Sequence, residues 1–271
     1  MSPLESFLLG VLEGLTEFLP VSSTGHLILL GEVLGHDDDA SKTLEIVIQA
    51  GAILAVVVYY RKLLANLIAG ALRREASALR LVLALGIAFV PAAGLGFVAH
   101  KAIKNLLFKP VPIAIALIVG GVVMIGADRW VRARAPSAAT NNLEDVTPRR
   151  ALTVGLAQCF SLWPGMSRSM STIVGGQVAG LETATAAEFS FLLSIPVLGA
   201  ATLFDLLKNG RTLFASSGGG ISLAIGLATA FIVSMAVIAG FLRYLKKWGL
   251  FPFGVYRILL GAVVLMLATM R

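Results

Sequence analysis

Apolar residues run along this chain in long blocks, without the strict alternation of a half-buried strand. A spanning helix needs about 20 mostly apolar residues. Six windows reach that length once tilt and fraying are allowed, at roughly 43–60, 79–99, 111–129, 184–203, 220–242 and 252–270. Two further apolar regions, about 3–35 and 149–179, are each broken near the middle. The first break reads Phe18-Leu19-Pro20-Val21-Ser22-Ser23-Thr24-Gly25-His26 and the second Trp163-Pro164-Gly165-Met166-Ser167-Arg168-Ser169. Neither half of either region is long enough to cross a bilayer. Irregular backbone at membrane depth is tolerated only where protein buries it or where it lines a watery cavity, so both regions are expected as re-entrant helical hairpins. Segment 61–75 is too short and too basic to span and is expected at the membrane interface. The predicted fold is an all-α polytopic integral membrane protein: six transmembrane helices plus two re-entrant helical hairpins in an inverted-topology repeat, forming a single membrane domain.

Composition agrees. Of 271 residues, 57% are hydrophobic and 14% charged, whereas soluble domains carry about 45–50% and about 25%. This excludes a cytosolic globular enzyme, a disordered chain and a disulfide scaffold. The net charge of +7 fits cytoplasmic loops rich in Lys and Arg better than it fits nucleic acid, and no nucleic-acid partner is expected. With six spans, the connections after the first, third and fifth hold 13 Lys/Arg and the opposite side seven. The positive-inside rule then puts the first set in the cytoplasm and both termini outside. Linker 133–148, rich in Ala, Asn, Ser and Pro, is expected to be cytoplasmic and to join repeat halves at about 1–132 and 149–271. Cys159 has no partner for a disulfide, and the acidic N-terminal stretch with Glu5, Glu13 and Glu17 does not read as a signal peptide.

The repeat itself is visible at long period. Pro20 aligns with Pro164, Ser23 with Ser167 and Gly31 with Gly175 at an offset of 144, and Glu45 with Glu188 at 143. An odd number of spans separates the copies, so the second is inserted upside down. Paired broken segments in such a repeat point to a binding site near the midplane. Chance similarity between two Gly/Ser-rich turns is the plainer alternative.

Ionisable residues inside a membrane are costly, so each needs a partner or a role. Glu13 and Glu17 lie four apart on one helix face. Two carboxylates there repel unless a cation or proton lies between them, and oxygen ligands suit a hard divalent cation, Mg²⁺ or Ca²⁺. The plainer reading has both solvating an aqueous edge. His26 follows a turn carrying Ser22, Ser23 and Thr24; it is read either as chemistry or as a satisfied hydrogen bond at a helix start. Arg168 stands among Ser167, Ser169, Ser171 and Thr172. A guanidinium fork at the positive end of a helix suits phosphate, though a structural pairing with Glu13, Glu17 or Glu188 would also account for it. Ser22, Thr24, Ser167, Arg168 and Ser169 form the expected phosphate-binding set. Glu45 and Glu188 are expected to support the hairpin turns, and Arg257 to snorkel. Asp128 looks like an ordinary boundary residue, and the run Asp37-Asp38-Asp39 like a solvated loop.

The stretches Glu13-Gly-Leu-Thr-Glu17-Phe-Leu-Pro-Val-Ser-Ser-Thr-Gly-His26 and Pro164-Gly-Met-Ser-Arg-Ser-Met-Ser-Thr172 closely resemble the undecaprenyl-diphosphate phosphatases, or bacitracin-resistance proteins. Glu45-Ile-Val-Ile-Gln49, Glu188-Phe-Ser-Phe-Leu-Leu-Ser-Ile-Pro196 and Tyr256-Arg257 support the resemblance, which covers the whole chain. Met170 departs from it, where a small Gly would be expected. The resemblance implies a multi-pass hydrolase of the bacterial inner membrane, with its site open to the periplasm. Its substrate would be a C55 isoprenyl diphosphate, a lipid partner beside the phospholipid bilayer itself. Removing the terminal phosphate would recycle the carrier for cell-wall synthesis and confer bacitracin resistance. The resemblance further implies catalytic roles for Glu13, Glu17, Ser23, His26 and Arg168, with a divalent cation assisting at Glu13 and Glu17. A homodimer is compatible with this reading. The rival class is a lipid carrier or ion-coupled flippase, because broken helices in inverted repeats also build secondary transporters.

Overall fold

A computed structural model describes residues 2–34, 39–133, 140–215 and 219–270. Asp37, Asp38, residues 134–139 of the linker and the side chain of Glu45 fall outside the described set. The described chain is helical: α1 Pro3–Thr16, α2 Ser23–Leu34, α3 Asp39–Tyr59, α4 Arg61–Leu72, α5 Ala76–Leu107, α6 Pro110–Arg132, α7 Pro148–Gln158, α8 Arg168–Val178, α9 Thr183–Ala215, α10 Gly219–Trp248 and α11 Phe251–Thr269. The starts are legible in local chemistry. Ser2 and Glu5 form a capping box ahead of Pro3, and Thr147 caps α7 ahead of Pro148.

Five helices are long and apolar enough to cross a membrane, within Ala76–Leu107, Pro110–Arg132, Thr183–Lys208, Gly220–Leu245 and Phe251–Thr269. They match five of the six expected windows. The other window, 43–60, becomes one arm of a broken element: Ile46–Tyr59 and Arg61–Leu72 are bent by 72° to each other. The whole of α3, Asp39–Tyr59, has 21 residues, which at ~1.5 Å per residue matches the ~30 Å of a hydrocarbon core, so the candidate spans among the described residues number five, or six if the bent pair is one span. Polar Arg61 and Lys62 then open the second arm. The protein is a multi-pass membrane protein. Both interrupted regions are helix–break–helix elements, α1–α2 and α7–α8, as the Pro/Gly/Ser clusters predict.

The chain divides into two compact units that do not follow chain order. The first comprises Met1–Phe18, Ser23–Arg61 and Ser194–Gly240. Here α1 packs on α2 and α3, around a core of Leu9, Leu27, Leu44, Val47, Ile48, Leu223 and Ala230. Backbones approach closely at glycines: a Cβ on Gly10 would lie 2.6 Å from the Gly226 carbonyl oxygen of α10. Small residues at crossings permit such approach where the surrounding lipid is as apolar as the side chains.

The second unit comprises Leu19–Ser22, Lys62–Leu193 and Phe241–Arg271. Within it α6 runs against α11, and α7 packs on α5 and α8. A Cβ on Gly121 would lie 2.6 Å from the Gly254 carbonyl oxygen, and one on Gly155 2.7 Å from that of Ala88. Gly94, by contrast, faces open space and Gly96 meets only the Leu162 side chain, so that pair makes no close helix crossing. The second half of the linker is pinned rather than free. Thr140 N–H donates to the Gly180 carbonyl at 3.0 Å, and its own carbonyl accepts from Glu182 N–H at 2.9 Å. Asp128 also departs from its boundary reading. Its buried carboxylate accepts from Leu250 N–H and from Arg132 Nε, both at 2.8 Å, tying α6 to the start of α11.

Candidate active site

Glu13 occupies the last turn of α1 and Glu17 follows the helix directly, with the Glu17 N–H still donating to the Glu13 carbonyl at 2.9 Å. Both are buried, at 1% and 5% exposure. The C-terminal end of a helix carries partial negative charge, so two buried carboxylates there sit where the backbone itself disfavours them. Ser23, first residue of α2, donates from Oγ to Glu17 Oε2 at 2.5 Å, and Gln49 Nε2 of α3 reaches the same oxygen at 3.4 Å. His26 is buried one turn into α2, and Ser22 is buried just ahead of it. Thr24 differs from the expectation for a phosphate-binding group, because its place in the first turn of α2 leaves it exposed.

The second interruption is built on similar backbone. Ser167 caps α8, its Oγ accepting from Met170 N–H at 3.2 Å and pairing with Ser169 Oγ at 3.1 Å. Arg168, half-buried, is the first residue of α8 and donates from Nη1 to the Ser190 carbonyl at 2.8 Å and to Ser190 Oγ at 3.1 Å. Ser190 Oγ also pairs with Thr172 Oγ1 at 2.6 Å. Ser169 Oγ donates to the Leu19 carbonyl at 2.9 Å. A cation at the positive end of a helix is again on the disfavoured side, which an arriving anion would reverse.

Ser22 and Ser167 share a backbone feature rare outside glycine, φ of 76° and 71°. Each stands immediately before a helix start. Strained conformations of this kind persist where the surroundings impose them and concentrate at functional sites.

Arg257 was expected to snorkel, yet it is fully buried and turned inward. It donates to the carbonyls of Pro20 at 3.2 Å and Gly165 at 2.8 Å, the two turns of the broken elements, and to those of Ala116 and Leu117 on α6. Burial explains the difference: α11 presents this face to α6, where Gly120 leaves room for the guanidinium. Ser190 and Gln49 are the other partners that residue type alone did not single out, though each is an isolated polar residue in an apolar stretch within four residues of Glu188 or Glu45. Glu188 is half-buried. The first set, Glu13, Glu17, Ser23 and His26, belongs to one unit; Ser22, Ser167, Arg168 and Ser169 belong to the other.

No group of three or more His, Cys, Asp or Glu side chains able to hold a metal occurs among the described residues. The donors here, the Glu17 carboxylate with the Ser23 hydroxyl on it and the Glu13 carboxylate one helical turn earlier, are hard oxygens. They fit a cation of the Mg²⁺ type, which keeps water and substrate phosphates in its shell and needs only one or two carboxylates.

The family model of the bacitracin resistance protein BacA matches residues 6–263. The chain belongs to that family. It is 64% identical over 263 residues to an undecaprenyl-diphosphatase of Sorangium cellulosum, covering 97% of this chain and 85% of that protein. It is also 46% identical to the undecaprenyl-diphosphatase of Nitrosomonas europaea, covering 98% of this chain and 94% of the relative. Undecaprenyl-diphosphatase 1 of Burkholderia cenocepacia is 44% identical, with 97% and 94% covered. Within the BacA match fall both broken elements and Arg257.

Proposed function

We propose that this BacA-family protein hydrolyses undecaprenyl diphosphate to undecaprenyl phosphate and inorganic phosphate, and thereby returns the lipid carrier to cell-wall synthesis and confers bacitracin resistance. The observation that carries the reading is the buried Glu17–Ser23 hydrogen bond, with the buried Glu13 one helical turn before it. Hydrolysing a diphosphate is largely positioning and neutralisation of charge. Arg168 and the N–H groups opening α8 receive the terminal phosphoryl group, assisted by Ser167 and Ser169. Ser22 orders the turn between the hairpin arms.

Ser23 Oγ attacks the terminal phosphorus while its proton passes to Glu17 Oε2, the acceptor it already contacts. The bridging P–O bond breaks, undecaprenyl phosphate leaves, and His26 supplies a proton to it. Water then attacks the phosphoserine with His26 taking its proton, the Oγ–P bond breaks, Glu17 returns the proton to Ser23 Oγ, and phosphate is released. Glu13 and Glu17 would hold Mg²⁺ or Ca²⁺, which neutralises charge on the two phosphates. The site opens to the periplasmic side of the bacterial inner membrane.

The test is phosphate release in detergent from the C55 diphosphate and from a short-chain analogue, with and without EDTA. Hydrolysis in a single compartment is expected, and a transporter would give none. Glu17→Ala or Arg168→Ala protein that stays folded with wild-type turnover would refute the assignment. Radiolabelled phosphate trapped on the wild-type chain and absent from Ser23→Ala supports the hydroxyl as nucleophile; no trapping in either assigns the attack to water.

A further inference from the structure

Arg257 is the largest fully buried side chain among the described residues, and every hydrogen-bond partner of its guanidinium is a neutral backbone carbonyl: Leu117 to Nε at 3.4 Å, Pro20 to Nη1 at 3.2 Å, and Ala116 and Gly165 to Nη2 at 3.2 and 2.8 Å. Among the described residues no carboxylate pairs with it. Burying an unpaired charge is expensive, so carbonyls alone are a poor reason to keep an arginine here. Two features give it a use. Pro20 lies three residues from both Glu17 and Ser23 in the chain, and Gly165 three residues before Arg168. One rigid fork therefore holds the backbone of both turns that carry the proposed chemistry. The fork also brings a positive charge that no protein anion neutralises to turns proposed to receive a phosphoryl group.

We infer that Arg257 is a positioning residue for the hydrolysis, fixing the Pro20 and Gly165 turns through its fork and favouring the anionic substrate through its unneutralised charge. This rests on the reaction and residues proposed above. The two contributions separate by substitution. Lys keeps a positive charge but presents no planar fork, whereas Gln loses the charge as well.

The experiment compares Arg257→Lys, Arg257→Gln, Glu17→Ala, Arg168→Ala and Met124→Ala in purified full-length protein, measuring kcat, KM and thermal unfolding, with rates normalised to folded protein. Met124 is a fully buried α6 residue outside the site and serves as the packing control. Arg257→Lys is expected to lower kcat at least about tenfold, equivalent to about 1.4 kcal/mol, with KM within about twofold of wild type. Arg257→Gln is expected to lower kcat further and raise KM. Met124→Ala is expected to unfold at lower temperature with kcat unchanged. Arg257 variants that keep wild-type kcat and KM per folded molecule, while Glu17→Ala and Arg168→Ala are inactive, would overturn the inference alone. Wild-type turnover in Glu17→Ala and Arg168→Ala would overturn the site reading on which it rests. Should the Arg257 variants fail to accumulate, Gly120→Ala carries the same test: it keeps the arginine but displaces its guanidinium, and wild-type kcat there would overturn the inference.

Discussion

Gly120→Ala isolates the Arg257 clamp with a single methyl group. A Cβ at Gly120 would fall inside contact distance of Arg257 Nη2, 2.9 Å from its Cζ and 3.0 Å from Met170 Cε. The methionine end can rotate away. The guanidinium cannot, because four carbonyls hold it from both turns and from α6. Displacing it breaks at least the two Nη2 bonds, to Ala116 and Gly165. Hydrogen bonds from charged groups contribute about 1.5–3 kcal/mol each, so the loss is about 3–6 kcal/mol. Replacing a helical Gly by Ala returns about 1 kcal/mol of helix propensity. The net destabilisation is then about 2–5 kcal/mol, a large part of the roughly 5–15 kcal/mol that holds a protein folded. Gly126 on the same helix has no atom within 4 Å of its would-be Cβ, so Gly126→Ala is expected to be neutral or stabilised by up to about 1 kcal/mol. The assay is thermal unfolding of both variants in one detergent, read beside the wild type. Equal midpoints for the two variants, or a Gly120→Ala midpoint at or above wild type, would refute the steric reasoning.

Three other outcomes follow from local geometry. Ser190→Ala removes a hydroxyl acceptor of Arg168 and the partner of Thr172; kcat/KM should drop about 2–10-fold for one hydrogen bond, with little change in unfolding temperature, and an unchanged value would show that this hydroxyl does not position the arginine. Asp128→Ala strands the buried Leu250 N–H and leaves Arg132 with only the Trp248 carbonyl, at 2.8 Å, among these partners. It should cost about 1–3 kcal/mol in an unfolding assay while turnover per folded molecule stays at wild type, and lost turnover would contradict a purely structural staple. Gly249→Ala places a Cβ against the Asp128 carboxylate at φ of 68°; it should destabilise the same junction, and a midpoint equal to wild type would mean the turn relaxes.

How much of this was readable in the chain differs by element. Spans were legible because continuous apolar length is itself the requirement for crossing a bilayer, and five windows became whole helices. The window at 43–60 became α3, but its 72° bend against α4 was not legible, because the direction of a bend is set by packing that residue order does not encode. The linker was legible as a polar boundary, but the pairing of Thr140 with Gly180 and Glu182 is backbone hydrogen bonding to a distant turn, to which side-chain type contributes nothing. Glycine type alone does not tell packing from open space: Gly121 meets the Gly254 backbone closely, whereas Gly94 has no neighbour within 4 Å of its would-be Cβ.

The site divides along the same physical line. Glu13 and Glu17 were visible because their spacing puts them on one helix face and their surroundings make charge costly. Arg257 was misread because an arginine one turn into a span has two ways to avoid an unsatisfied charge, by reaching the interface or by finding acceptors inside. Which one wins depends on whether carbonyls from elsewhere in the chain converge on it. Here they do, from Pro20, Gly165 and α6, and the notch at Gly120 makes the inward course sterically possible. The helix-end charges show the same dependence. Carboxylates closing α1 and a guanidinium opening α8 each oppose the partial charge of their own helix end. Such placements are hard to explain as scaffolding, since exchanging the signs would stabilise both ends. They are what a site needs if a cation is to arrive at the first and a phosphoryl group at the second. Under the proposed reaction, a cation at the first end and a phosphoryl group at the second would each relieve the electrostatic conflict of its own helix end.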